Sequence, residues 1–153
     1  FEDTFFLFSV SIYDASVNRR AINPKKVYCV DHALVTAVTS KISANAVHLL
    51  ENLMFVTLRR LGNSIYYYKT AGGLEVDFLL INKHDHIQSI QVCESLFNED
   101  TRNREVKALH LAMQELKINN ALIITRDEYD EIHFDNYLIS VIPIWQYLYE
   151  NQK

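Results

Sequence analysis

Two stretches decide how this chain is read: E-V-D-F-L-L at residues 75–80 and I-Q-S-I-Q-V-C-E-S at residues 87–95. The turn K-H-D-H at 83–86 separates them. Upstream lie I-Y-Y-Y-K at 65–69 and the glycine turn T-A-G-G-L at 70–74, so residues 65–95 predict a three-stranded antiparallel meander. Side chains at i and i+2 of a strand share a face. Gln91 and Cys93 therefore form one such pair, and Glu75 and Asp77 another.

Working outward, a helix is expected from about Ala44 to Leu61, with Ser43 or Asn45 as N-cap and Gly62 as terminator. Arg59 and Arg60 sit at the negative end of its dipole. Val47, Leu50, Met54, Leu58 and Leu61 follow helical spacing, and Glu51 falls on that apolar face. A second helix is expected from about Thr101 to Lys117, with Val106, Leu109, Met113 and Leu116 as its buried stripe. The run A-L-I-I-T at 121–125 has no polar alternation until Thr125, the pattern of a strand covered on both faces. E-I-H-F-D and L-I-S-V-I-P predict two further short strands, and W-Q-Y-L-Y-E-N a last helix. At the other end, residues 5–13 and V-Y-C-V at 27–30 read as strands. Pro24 interrupts the basic stretch V-N-R-R-A-I-N-P-K-K between them, and Asp31 opens a short apolar segment, A-L-V-T-A-V.

The 153 residues suffice for one α/β domain with a sizeable core. The chain begins at Phe1 without methionine and reads as a C-terminal fragment of something longer. Its regions are lead-in strands at 1–43, a core at 44–126 and an extension at 127–153. Hydrophobic residues make up 49% and charged residues 22%, the balance of a soluble globular protein. No stretch approaches the roughly 20 apolar residues of a membrane span, and the acidic, apolar start lacks the basic region of a signal peptide. A net charge of −4 argues against a nucleic-acid binder held by electrostatics alone. Cys29 and Cys93 lie far apart and in no C-x-x-C pair, which disfavours zinc and a disulfide framework; reduced thiols in a cytoplasmic setting are the expectation.

The order helix, three strands, helix, strand, with an acid on the first helix, G-x-E-V-D leading into the second strand and a polar pair on the third, resembles the PD-(D/E)XK nuclease superfamily and its restriction-endonuclease-like core. More closely, N-P-K-K-V-Y-C-V-D-H-A-L, L-L-E-N-L-M-F-V-T-L-R-R, Y-Y-Y-K-T-A-G-G-L-E-V-D-F-L-L, and I-Q-V-C followed by T-R-N-R-E-V-K-A-L resemble the C-terminal domain of uncharacterised prokaryotic AAA-type ATPases. That resemblance spans roughly residues 23 to 109. It implies an ATPase domain and a winged helix upstream in the same chain. No G-x-x-x-x-G-K-[ST] phosphate loop occurs in these residues, so no ATP site is expected here.

In the nuclease superfamily, three acids hold one or two Mg²⁺ ions that activate water, and a lysine two residues after the last acid stabilises the charge developed during attack. Carried over residue by residue, the helix acid is Glu51, the second-strand acid is Asp77, the third-strand acid position is Gln91 and the lysine position is Cys93. Gln91 offers an amide oxygen to a metal, as in some superfamily members, yet removes a negative charge; Mg²⁺ or Mn²⁺ would be held weakly. A thiol of pKa about 8.5 is mostly neutral at pH 7 and has the wrong sign when ionised, so Cys93 is no substitute for an ammonium. Lys69, at the end of the strand that hairpins onto Glu75, is the candidate for a migrated lysine. Glu94 should face the opposite way from Cys93.

Each residue also has a plainer reading. Glu51 can cap backbone or pair with Arg59 or Lys69, Lys69 can be a solvated strand end, and Asp77 can be one polar position of a half-exposed strand. His84, Asp85 and His86 read as an exposed turn, Cys93 as a small buried hydrophobe, and Tyr66, Tyr67 and Tyr68 as strand formers rather than base-stacking rings. Arg102, Arg104 and Lys107 form a cationic cluster at the start of the second helix, suited to phosphate, a partner's acidic surface or solvent. The sequence thus predicts a degenerate, inactive nuclease-like domain of a larger AAA-type ATPase that acts in DNA or protein recognition. Two alternatives stand beside it: a weak Mg²⁺- or Mn²⁺-dependent deoxyribonuclease using Glu51, Asp77 and Gln91 with Lys69, and a pure protein-interaction module.

Overall fold

A computed structural model describes residues 6–31 and 46–151. The segment 33–38 and the expected caps Ser43 and Asn45 lie outside the described residues. A two-stranded antiparallel sheet pairs β1 (Leu7–Val10) with β2 (Lys26–Cys29). Between them runs a short helix that the sequence reading missed, α1 (Val17–Ile22), capped by Ser16, whose side chain accepts from Arg19 N–H. Next come α2 (Ala46–Arg60), the meander β3 (Ser64–Lys69), β4 (Glu75–Ile81) and β5 (Ile87–Val92), then α3 (Glu99–Leu116) and β6 (Asn120–Thr125). A hairpin of β7 (Asp130–Phe134) and β8 (Tyr137–Pro143) leads into α4 (Ile144–Glu150). The architecture is mixed α/β.

The main sheet has six strands in the order β3-β4-β5-β6-β8-β7. The meander is antiparallel, β6 joins β5 in parallel after the α3 crossover, β8 extends that parallel run, and β7 closes the edge antiparallel. Central β6 is covered on both faces, which explains its unbroken apolar run. On one face Ile90, Val92, Phe78 and Ile124 pack against Met54, Phe55 and Leu58 of α2 and Ile144 and Tyr147 of α4. On the other, Cys93, Ile123, Ile139 and Val141 pack against Val106, Leu109 and Met113 of α3.

The helices depart from expectation at their ends. Val47 and Leu61 were placed on the buried stripe of α2 but are exposed, and Phe55 is buried in their stead. Helix α3 starts earlier than expected, because Asn98 caps it by accepting from Thr101 N–H, and it stops at Lys117, which adopts the left-handed conformation. Among the described residues no helix is long and apolar enough to cross a membrane.

One irregularity positions the site. Tyr66 pairs with Leu79 but Tyr68 pairs with Val76, so Asp77 and Phe78 together oppose the single residue Tyr67. This is a β-bulge, and it breaks the alternation of faces along β4. Val76 faces α3, whereas Phe78 and the carboxylate of Asp77 both lie on the α2 side.

A candidate site around a buried ammonium

Glu51 stands in the middle of α2, and Glu75 and Asp77 lead into and form the bulge of β4. Their carboxylates converge, with Lys26 between them. Lys26 Nζ lies 3.0 Å from Glu51 Oε1, 3.0 Å from Glu75 Oε1 and 2.8 Å from Asp77 Oδ1; it donates to Glu51 and Asp77 and forms an ion pair with Glu75. The Lys26 side chain is 20% exposed, so these contacts are weakly screened. Beside it the hydroxyl of Tyr28 donates to Glu51 Oε1 at 2.7 Å. Lys26 and Tyr28 are i and i+2 on β2, which brings both to the same face. The group lines a cleft of about 600 Å³ into which His48 also reaches.

Strand β2 is held at both ends. Tyr67, the residue opposite the bulge, donates its hydroxyl to the carbonyl of Pro24 at 2.6 Å. Asn52, buried on α2, accepts from Cys29 N–H at 2.7 Å and donates to Cys29 C=O at 3.0 Å, closing a two-bond clamp. The ring of Tyr28 stacks on Phe55 with centroids 4.4 Å apart. Backbone hydrogen bonds from Tyr67 N–H to Ser11 C=O and from Tyr13 N–H to Tyr67 C=O tie the lead-in to β3. Lys26 therefore reaches the acids from a strand whose position is fixed by hydrogen bonds and packing.

The charges shift one another in ways that follow from this geometry. Burial opposes the charge of Lys26, but the Asp77 and Glu51 carboxylates outweigh it and raise its pKa above the ordinary lysine value. Burial, then Glu51, pushes the Tyr28 phenol far up, so it stays a neutral donor. Burial and the neighbouring Glu51 charge raise Asp77 from 3.8 to about 6, against the lowering pull of Lys26 and of Val92 N–H. The three carboxylates outnumber the ammoniums that reach them, Lys26 and, at Glu75, Lys69, and the most deeply placed acid takes the difference.

The four positions carried over from the nuclease pattern divide. Glu51 and Asp77 converge on one ammonium, that of Lys26. Gln91 lies close to Asp77 but belongs to another network. Its Oε1 accepts from the backbone N–H of Asp77 at 3.1 Å and its Nε2 donates to Glu105 Oε2 on α3 at 2.7 Å. Asp77 Oδ2 in turn accepts from Val92 N–H at 3.0 Å. These two side chains thus satisfy backbone groups at the bulge, beyond the last paired residues Phe78 and Ile90 of the β4–β5 ladder. Cys93 is buried against α3 with Val106 and Leu109, and burial, then Glu105, pushes its thiol up to about 12. It is a neutral core residue. Glu94 pairs with Arg126.

Lys69 pairs with Glu75 Oε2 at 3.6 Å, while the ammonium on Asp77 comes from Lys26. The partners of Glu51 are Lys26 and Tyr28, rather than Arg59 or Lys69. The cationic cluster is partly neutralised within the fold, with Arg102 on Asp130 and Arg104 on Glu105. His84 and His86 sit in the turn, where Asn82 Oδ1 accepts from both of their backbone N–H groups. Sequence reading missed Lys26, Tyr28 and Glu105. The available signal was the K-x-Y spacing of 26 and 28, but the acids of Lys26 lie 25 and 51 positions away in the sequence and that of Tyr28 lies 23 away.

Do these residues suit a divalent metal? Mg²⁺ requires oxygens at about 2.0–2.1 Å in near-octahedral array. Here the oxygens stand at 2.8–3.0 Å from a common centre, the spacing of charge-assisted N–H···O bonds, and that centre is an ammonium. Gln91 has both amide atoms engaged elsewhere. Among the described residues no His, Cys, Asp and Glu side chains form a group that could hold a metal ion. As arranged, the donor set does not fit Mg²⁺ or Mn²⁺.

Comparison with known proteins defines the class of this domain. The model of the family described as Domain of unknown function DUF4143 matches residues 47–147, and the chain belongs to that family. The chain is also 32% identical over 156 residues to an uncharacterized protein of Methanocaldococcus jannaschii, an alignment covering 96% of this chain and 34% of that relative. It therefore spans about a third of the length of the relative it matches. No solved structure matches it. The family match includes Glu51, Glu75 and Asp77 but begins after Lys26 and Tyr28.

Proposed function

We propose that residues 1–153 are a single degenerate, catalytically inactive nuclease-like domain of a larger AAA-type ATPase, acting in recognition or assembly. The core order α2, β3-β4-β5, α3, β6, with β6 parallel to β5, supports a restriction-endonuclease-like ancestry. DUF4143 domains occur in AAA-ATPase-associated proteins, which supports the parent chain. The observation that favours inactivity is the division of the constellation. Gln91 and Cys93 are committed to α3 and the bulge backbone, while Glu51 and Asp77 are both ion-paired to Lys26. A cleft whose three carboxylates outnumber the ammoniums of Lys26 and Lys69 disfavours phosphodiesters, so a protein surface is the better partner for this face.

A second reading is favoured by one contact. Lys26 puts an ammonium 2.8 Å from Asp77, so a Mg²⁺- or Mn²⁺-dependent deoxyribonuclease would use Glu51 and Asp77 with Lys26, in place of Lys69, to stabilise charge. Incubating the protein with supercoiled and single-stranded DNA in Mn²⁺ separates the two. No cleavage is expected; cleavage that disappears in Asp77→Ala establishes the enzyme. Salt-dependent DNA binding without cleavage would assign recognition to DNA, at a surface other than this cleft.

A further inference from the structure

We propose that Lys26 is the resident cation of this site: its tethered ammonium takes the place of a divalent ion between Glu51, Glu75 and Asp77 and keeps Mg²⁺ and Mn²⁺ out. The inference rests on reading the domain as a degenerate nuclease-like module and states how its acids survive without a metal. A carboxylate buried beside other carboxylates needs compensation by a cation or by protonation. In a metal-dependent site, the ion supplies that compensation and the acids repel one another once it is stripped. Here a covalently attached ammonium does so, at a high effective concentration fixed by its tether and with no dependence on dissolved metal.

Three independent features of the geometry support this assignment. The ammonium makes a contact of 3.0 Å or less with each of three carboxylates drawn from two elements, and so lies where their charges converge. The strand that delivers it is pinned at Pro24 by Tyr67 and at Cys29 by Asn52. Finally, Tyr28 fills a hydrogen-bonding position on Glu51 with a neutral hydroxyl that stays protonated, leaving Glu51 Oε1 accepting from two donors. Displacing the ammonium would cost it all three of these ion pairs.

The assignment makes a directional claim. Removing the ammonium while retaining an apolar stem should create a divalent-cation site from the three acids, whose side chains would draw inward by under about 1 Å to meet metal–oxygen distances. The wild-type protein and Lys26→Met are titrated with MnCl₂, followed by water-proton relaxation. No saturable binding is expected for wild type in the low-millimolar range. Lys26→Met should bind at least about tenfold more tightly, and adding Glu51→Gln should remove the gain. Equal affinity of wild type and Lys26→Met overturns the proposal.

Should Lys26→Met fail to fold, the wild-type protein still decides. Its Glu51 and Asp77 side-chain carboxyl resonances should stay sharp when Mn²⁺ is added, and selective broadening of these signals overturns the tethered cation. The outcomes also separate this inference from the one beneath it. Mn²⁺ bound by wild type without DNA cleavage refutes the resident cation and leaves the inactive reading standing, whereas Mn²⁺-dependent cleavage refutes both.

Discussion

Gln91 donates from Nε2 to Glu105 Oε2 at 2.7 Å, and both residues are buried. The amide donates to one carboxylate oxygen of Glu105 while Arg104 grips the other. Restoring the acid of the nuclease pattern by Gln91→Glu would set two carboxylates against each other. We expect a loss of about 1–3 kcal/mol at neutral pH, partly recovered in acid as the new carboxyl protonates and donates again. Urea unfolding at pH 7 and pH 5 measures this, and the variant should still not cleave DNA. A Gln91→Glu protein as stable as wild type at pH 7 would contradict the network.

Removing the ammonium of Lys26 leaves Glu51 and Asp77 facing each other in a weakly solvated cleft. Breaking a buried pair by deleting one partner costs about 3–5 kcal/mol, and the 20% exposure of Lys26 places this site toward the lower end. The midpoint of urea unfolding for Lys26→Met should fall accordingly. The sign with pH follows from the raised pKa of Lys26. The folded state holds this proton more tightly than the unfolded chain, so the contribution is complete below 10.5 and lost as pH rises further. Wild type should therefore show a base-induced loss of stability that Lys26→Met lacks.

Asp77 behaves in the opposite direction from a carboxylate in a simple salt bridge. Its folded pKa of about 6 lies above the ordinary 3.8, so the folded state binds this proton more tightly and Asp77 costs stability as pH rises from about 4 to about 6. Carbon-13 NMR of the side-chain carboxyls should show one aspartate titrating near pH 6, absent in Asp77→Asn. A midpoint below 3.8 would mean that Lys26 and Val92 N–H outweigh burial and Glu51.

The clamp of Asn52 on Cys29 predicts a structural effect on the site. Asn52→Ala leaves a buried backbone N–H and C=O without partners, at a cost of about 1–3 kcal/mol, and loosens the end of β2 next to Tyr28. Hydrogen exchange at Cys29 N–H should accelerate, while exchange in α3, across the sheet, should follow only the global loss. Unchanged protection at Cys29 would refute the clamp.

How much of this was legible in the sequence depended on distance along the chain. The meander could be read because its turns, T-A-G-G-L and K-H-D-H, are local signals, and α3 because its stripe repeats over several turns. The meeting of Glu51 with Asp77 was legible through family resemblance. Lys26 was not, because it looks like one more member of a basic run, and its role arises from a strand docking across α2 and β4. Gln91 illustrates another limit. Spacing can indicate that a side chain shares a face with Cys93, but not that its amide is used by Asp77 N–H and Glu105.

The bulge at Asp77 and Phe78 has a further consequence, best stated as parity. Before it, odd-numbered residues of β4 present charge to the cleft; after it, even-numbered residues present apolar groups to the same side. A single face thus carries acid and hydrophobe in register with α2, which a regular strand of this sequence could not provide. Pairing the same residues in strict alternation, with Phe78 held in place, would turn Asp77 and Glu75 to the α3 side. The parity break, more than any single acid, shapes the pocket around Lys26.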